Sequence, residues 1–193
     1  MQTYQEEFIK FALDRGALTF GNFILKSGRR SRYFFNAGVF NNGEDLQRLG
    51  CFFAHAIERA NLTYDVLFGP AYKGIPLVSA TAISLAAKGK HVPYAFNRKE
   101  TKQHGEGGRI IGANLAKQKV LVIDDVITAG TAVRETVNFL RAVNADFCGV
   151  VVALDRQECG AETGSAVKEI KDHYQVPVNS IVTINNLIQY LEK

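Results

Sequence analysis

Apolar positions change their spacing along the chain, and each change marks an element. Phe8, Phe11, Ala12 and Arg15 fall at helical spacing within residues 4–15, and Gly16 can end that helix. Residues 18–25 and 31–36 read as two strands around the turn-forming Lys26-Ser27-Gly28, so a hairpin is predicted. Leu46, Leu49, Phe53 and Ile57 then stripe one face of a helix over residues 43–60. From there strand and helix alternate. Strand 65–68 is broken by Gly69-Pro70 and followed by helix 75–87. Strand 91–96 leads into a polar, glycine-rich stretch that lasts to Gly108. Strand 120–123, helix 131–143 and strand 147–154 come next, then helix 165–174, strand 178–183 and a short last helix.

The run Val120-Leu121-Val122-Ile123 has no polar alternation, as befits a strand covered on both faces. Alternating strands and helices predict an α/β fold, a doubly wound and mainly parallel sheet flanked by helices, with the N-terminal helix and hairpin as a hood. Ligands bind such sheets beyond the carboxyl ends of the strands. Three loops expected at those ends carry the unusual residues.

Composition narrows the setting. With 193 residues, 47% of them hydrophobic, the chain suits one domain over residues 1–193, and the loops that carry the unusual residues fall within a ligand-binding core over residues 60–160. Cys51, Cys148 and Cys159 are widely spaced and form no CxxC pair, which fits a reducing compartment. The first ten residues hold two glutamates and no apolar run, unlike a signal peptide, and no stretch approaches the roughly 20 apolar residues of a membrane span. A cytoplasmic protein with no membrane partner is expected. The net charge of +4 gathers in residues 26–32 and 98–102, which favours a small anionic ligand over a nucleic acid.

The chemistry concentrates in residues 120–131. Asp124 and Asp125 cap the apolar strand, and Val126-Ile127-Thr128-Ala129-Gly130-Thr131-Ala132 leads into a helix. Two like charges about 4 Å apart repel by roughly 1 kcal/mol in water and about 4 kcal/mol at an effective dielectric near 20, so the pair wants hydroxyls or a cation to hold. Alternation would send the two carboxylates to opposite faces, so both can serve one ligand only where strand gives way to loop. The backbone N–H groups of 128–131 sit at a helix start, where the dipole favours an anion. A diol beside a phosphate is a ribose 5-phosphate; the plainer alternative is a strand end with Thr131 as a helix cap.

This string resembles the phosphoribosyl pyrophosphate (PRPP) signature of the type I phosphoribosyltransferases. By that resemblance Asp124 and Asp125 bind the ribose hydroxyls, directly or through magnesium, and 128–131 cradle the 5-phosphate within a PRPP-binding stretch that runs from Val126 to Ala132. Residues 69–76, with Tyr72 and Lys73, look like the family's pyrophosphate loop. The stretch Asn97-Arg98-Lys99-Glu100-Thr101-Lys102-Gln103-His104-Gly105-Glu106-Gly107-Gly108 looks like a cationic lid over residues 98–108, hinged on glycines and able to exclude water.

Four features narrow the resemblance to the orotate enzymes of that family: the lid's spelling, Lys26-Ser27-Gly28, Phe34-Phe35, and Asp155-Arg156-Gln157-Glu158. It runs over nearly the whole chain, and makes residues 1–40 the N-terminal helix and base-binding hairpin. It implies that Phe34 or Phe35 packs on the base and Arg156 forks onto the orotate carboxylate, with Thr128 near the ring. Lys26 bridges base and pyrophosphate. On the same resemblance Lys102 would be the principal catalytic side chain, with Lys26 and Asp125 also in the catalytic set, and Arg98, Lys99 and His104 would assist on the phosphates. The resemblance further implies Mg²⁺ held mainly by PRPP near Asp124 and Asp125 rather than in a protein cage. It implies a homodimer in which Arg98, Lys99, Lys102 and His104 reach the neighbouring site. Transfer to another base and a non-catalytic PRPP-sensing regulator remain alternatives. A dinucleotide-binding fold is excluded because no GxGxxG follows an early strand.

Overall fold

A computed structural model describes residues 1–24, 30–102, 108–158 and 164–193, and the side chains of all of these except Thr101 and Lys102. Helix α1 (Thr3–Asp14) leads into an antiparallel hairpin of β1 (Leu18–Ile24) and β2 (Arg30–Phe35). A short 3-10 turn and α2 (Gly43–Ala60) follow, and α2 starts where the Asn42 side chain accepts from the Asp45 N–H.

Among the described residues the main sheet then forms from β3 (Val66–Gly69), β4 (Tyr94–Lys102), β5 (Gly108–Gly112), β6 (Lys119–Ile127), β7 (Asp146–Asp155) and β8 (Val178–Thr183). Their spatial order is β5-β4-β3-β6-β7-β8, parallel throughout except for the antiparallel edge strand β5. Between them run α3 (Gly74–Ala87), α4 (Thr131–Ala142) and α5 (Ala166–Tyr174), and α6 (Ile184–Leu191) comes last.

The two faces of the sheet are read off β6. Leu121 and Ile123 pack with α2, α3 and the hood, while Val120 and Val122 pack with α4 and α5. That two-sided burial is what an unbroken apolar run supports. Phe8, Phe35 and Phe52 fasten the hood to this core, with ring centres 6.3 Å (Phe8–Phe35) and 5.3 Å (Phe8–Phe52) apart.

The α/β class and the hood agree with the sequence expectation, and the 97–108 stretch differs from it in one respect. Residues 97–102 continue β4 and pair antiparallel with β5, with a register shift between Asn97 and Lys102. Charged residues and glycines disguised this ribbon; cross-strand pairing beside Ile110 and Ile111 outweighs their poor strand propensity.

Candidate active site

The carboxyl ends of β3, β4 and β6 meet above a cleft of about 630 Å³. β6 outlasts its neighbour: its pairing with β3 stops at Phe68–Val122, whereas its pairing with β7 continues to Ile127–Asp155. Asp124 and Asp125 lie in that overhang and both line the cleft. They do so from within a strand, not from a loop, because β3 no longer walls off one side.

Their electrostatics differ. Asp125 Oδ2 is 2.7 Å from Lys73 Nζ, and its side chain is 14% exposed. Asp124 is partly covered, and its Oδ1 accepts from the Asp125 N–H at 2.9 Å. Loss of water around its carboxyl, and then the Asp125 charge, push the Asp124 pKa up to about 7. One lysine therefore serves two acids, and the inner one resists ionisation until something positive or hydroxylic arrives.

Lys73 comes from the loop 70–73. That loop is held tightly, since a Cβ on Gly69 would lie 2.1 Å from the Gly74 carbonyl oxygen. The Ala71–Tyr72 peptide bond is cis. The Ala71 N–H donates to Asn97 Oδ1 at 2.8 Å, and Lys99 Nζ sits 4.9 Å from the centre of the Tyr72 ring. These two contacts join the loop to the β4–β5 ribbon.

Residues 128–130 form an open bend before α4. Thr128, Thr131 and Ala132 are exposed, Ala129 is half-buried and Gly130 is buried. Gly130 is the residue before the first turn, at φ +79°, and no side chain caps that turn. The first-turn N–H groups stay open to an anion. Val126 packs against the core on the hood side and Ile127 is buried on the α4 side, so those two support the loop by packing.

On the hood side Arg156 is buried. Its Nε donates to Glu158 Oε1 at 2.6 Å, its Nη2 donates to Ser31 Oγ at 3.0 Å, and its guanidinium lies 4.4 Å from the Tyr33 ring centre. Burial pushes the Tyr33 hydroxyl up to about 12, against the lowering pull of Arg156. Phe34 is 42% exposed with its ring 5.5 Å from Phe23, whereas Phe35 is 6% exposed and belongs to the core.

A profile of the Phosphoribosyl transferase domain family matches residues 40–182. The chain is 55% identical over 194 residues to the orotate phosphoribosyltransferase of Nitrosococcus oceani, an alignment covering 100% of this chain and 88% of that protein. The chain belongs to the orotate phosphoribosyltransferase family. Another member, from Thiobacillus denitrificans, is 53% identical over 193 residues, covering 100% of this chain and 91% of the relative. The crystal structure of the family's enzyme from Francisella tularensis superposes with a TM-score of 0.86 at 46% identity, covering 96% of this chain and 90% of that one.

Of the residues the sequence singled out, Tyr72, Lys73, Lys99, Asp124 and Asp125 gather on one cleft, and Ala132 also lines it. Arg98 is half-buried on the ribbon, with its Nη1 3.4 Å from the Gly108 carbonyl oxygen. Lys26 and His104 lie outside the described residues, as does the Lys102 side chain. The cleft also holds residues that the sequence reading passed over: Asn97, Arg109 and Glu135. Asn97 had a signal, being the first polar residue after Tyr94-Ala95-Phe96. Arg109 and Glu135 had none, because each follows a glycine or a helix start by ordinary surface spacing.

Among the described residues no three His, Cys, Asp or Glu side chains cluster as a metal site, and no helix is long and apolar enough to cross a membrane.

Proposed function

We infer that the chain transfers the ribose 5-phosphate group of PRPP to orotate, giving orotidine 5′-phosphate and pyrophosphate, a step of pyrimidine biosynthesis. The observation that carries this reading is the overhang of β6, which sets Asp124 and Asp125 beside an uncapped helix start. Diol and phosphate sites are thereby joined at one strand end.

Each substrate group has a counterpart. The Asp124 and Asp125 carboxylates accept from the ribose 2- and 3-hydroxyls. The N–H groups of 128–131 take the 5-phosphate, with Thr128 near the base. Lys73, Tyr72 and the ribbon residues Arg98 and Lys99 surround the pyrophosphate. Arg156, held by Glu158 and Ser31 and stacked on Tyr33, is the cation that would pair with the orotate carboxylate. Phe34 is the exposed ring that covers the base, and Phe35 holds Phe34's strand to the core.

A ring nitrogen of orotate forms the new bond at the anomeric carbon as the bond to pyrophosphate breaks. Orotate is already anionic, so positioning and charge neutralisation dominate the rate. Lys102 stabilises charge on the departing oxygen or gives it a proton, and Lys26 bridges base and pyrophosphate. Arg98, Lys99 and His104 neutralise the phosphates, and residues 98–108 act as the lid of a domain that spans the chain.

The acid pair fits magnesium. Two carboxylates share a single lysine, and among the described residues no third His, Cys, Asp or Glu joins them, so a hard cation would be held mainly by substrate oxygens. Bound there, the ion neutralises pyrophosphate charge.

The working unit is a two-fold homodimer in the cytoplasm. Helix α3 supports self-association: it carries no charged residue, and Ile83 on it is 70% exposed. Mixing the protein with magnesium, PRPP and orotate and following orotate absorbance tests the reading. Loss of absorbance with matched release of pyrophosphate is expected. Turnover of uracil or a purine in place of orotate would overturn it.

A further inference from the structure

The bend that would take the 5-phosphate is braced from behind. Arg134, in the first turn of α4, donates from Nη1 to the Ala129 carbonyl oxygen at 2.8 Å and from Nη2 to Glu169 Oε2 at 2.7 Å. Glu169 belongs to α5, and its side chain is 14% exposed against 32% for Arg134. The fork thus links a loop carbonyl to a carboxylate 35 residues further along the chain. Gly130 leaves room for it: a Cβ there would lie 3.2 Å from both Arg134 Nη1 and Ile170 Cδ1.

The stereochemistry of the peptide unit gives this brace a consequence. In a trans peptide the C=O and the following N–H point in opposite directions. Holding the Ala129 carbonyl against Arg134 therefore directs the Gly130 N–H away from Arg134. A free carbonyl could instead swing toward the anion and repel it. The pair is part-buried, so it adds some stability, but its hydrogen bond to a loop carbonyl also fixes the orientation of that peptide.

We propose that Arg134, held in orientation by Glu169, is a positioning residue for the 5-phosphate. It turns the Ala129 carbonyl away from the anion and aims the Gly130 N–H at it. This rests on the assignment of residues 128–131 to the 5-phosphate.

The reverse reaction separates the groups, because orotidine 5′-phosphate carries the 5-phosphate and pyrophosphate does not. Arg134→Met should raise KM for orotidine 5′-phosphate, and for PRPP in the forward direction, by about tenfold, while KM for pyrophosphate stays within about twofold. Glu169→Gln should shift the same constants in the same direction by less, and the double variant should be no worse than Arg134→Met. Arg134→Lys keeps the charge but not the fork, and should recover only part of the loss.

Equal movement of both reverse-direction constants, or no movement of either, would overturn the proposal. So would a Glu169→Gln enzyme with unchanged KM for orotidine 5′-phosphate, and that variant carries the test should Arg134→Met fail to fold. Gly130→Ala strains the bend directly and serves as the control. If it too leaves KM for orotidine 5′-phosphate unchanged, the loop assignment itself is at fault; if it raises that KM while the Arg134 variants do not, only the positioning role falls.

Discussion

Asp124 stands where burial and a neighbouring carboxylate both oppose ionisation, and its pKa of about 7 against an ordinary 3.8 has a signed consequence. A carboxyl raised in the folded state costs nothing below about pH 4, where it is protonated folded or unfolded. The cost accrues as pH rises toward 7 and is complete above it, with a ceiling of roughly 4 kcal/mol. Asp124→Asn should therefore raise the Tm of the ligand-free protein at pH 8 and change it little at pH 4, as read by differential scanning calorimetry. Binding a diol favours the ionised form. KM for PRPP should accordingly rise as pH falls below 7, by up to about tenfold per pH unit if ionised Asp124 is required, and a flat profile from pH 8 to 6 would remove that requirement. The acid pair itself was legible in the sequence, because two carboxylates closing an apolar strand have few structural uses. The contacts of Arg134 and Asn97 were not, although Asn97 stood out as the first polar residue after Tyr94-Ala95-Phe96. Each acts on a backbone atom of another segment, Ala129 O or Ala71 N–H, and no spacing rule announces such a contact.

At the scale of elements, the loop 70–73 depends on two glycines that almost touch. A Cβ on Gly69 would fall 2.1 Å from the Gly74 carbonyl oxygen, and one on Gly74 would fall 2.6 Å from Pro70 Cδ. The contact is backbone on one side, so a side chain cannot swing clear. Gly69→Ala should cost about 1–3 kcal/mol, lowering Tm by roughly 3–10 °C, and should move Lys73 off Asp125, so that activity falls by more than the folded fraction does. Equal loss in both would mean that the loop is merely structural. The strands and helices around this loop were readable because their periodicity reports which faces are buried: Leu121 and Ile123 one way, Val120 and Val122 the other. The 97–102 extension of β4 and strand β5 escaped because their pattern offers no buried face, Ile110 and Ile111 being only half-buried. A ribbon stabilised by pairing alone looks like a polar loop in one dimension.

For the whole molecule, α3 is the element out of place on a monomer. Gly-Ile-Pro-Leu-Val-Ser-Ala-Thr-Ala-Ile-Ser-Leu-Ala-Ala has no charged position, and Ile83 is left largely bare. Ile83→Glu should shift sedimentation toward the monomer without lowering Tm by more than about 2 °C, since an exposed substitution touches no core. Self-association matters for catalysis only if the cationic ribbon serves the partner's cleft, and this has its own test. Lys102→Ala alone should lower turnover by about 10²–10⁴-fold, and Asp125→Ala should be similarly crippled. Refolding the two together would produce hybrids in which one cleft keeps an intact Asp125 from one subunit and an intact Lys102 from the other. That cleft should regain activity approaching one quarter of the parent's: half of the dimers are then hybrids, each with one whole site. If Lys102 instead serves its own subunit's cleft, every site in every hybrid lacks one of the two groups. Verified subunit exchange would then return no activity at all, and the shared-site arrangement would have to be abandoned while the assignment of each residue stood.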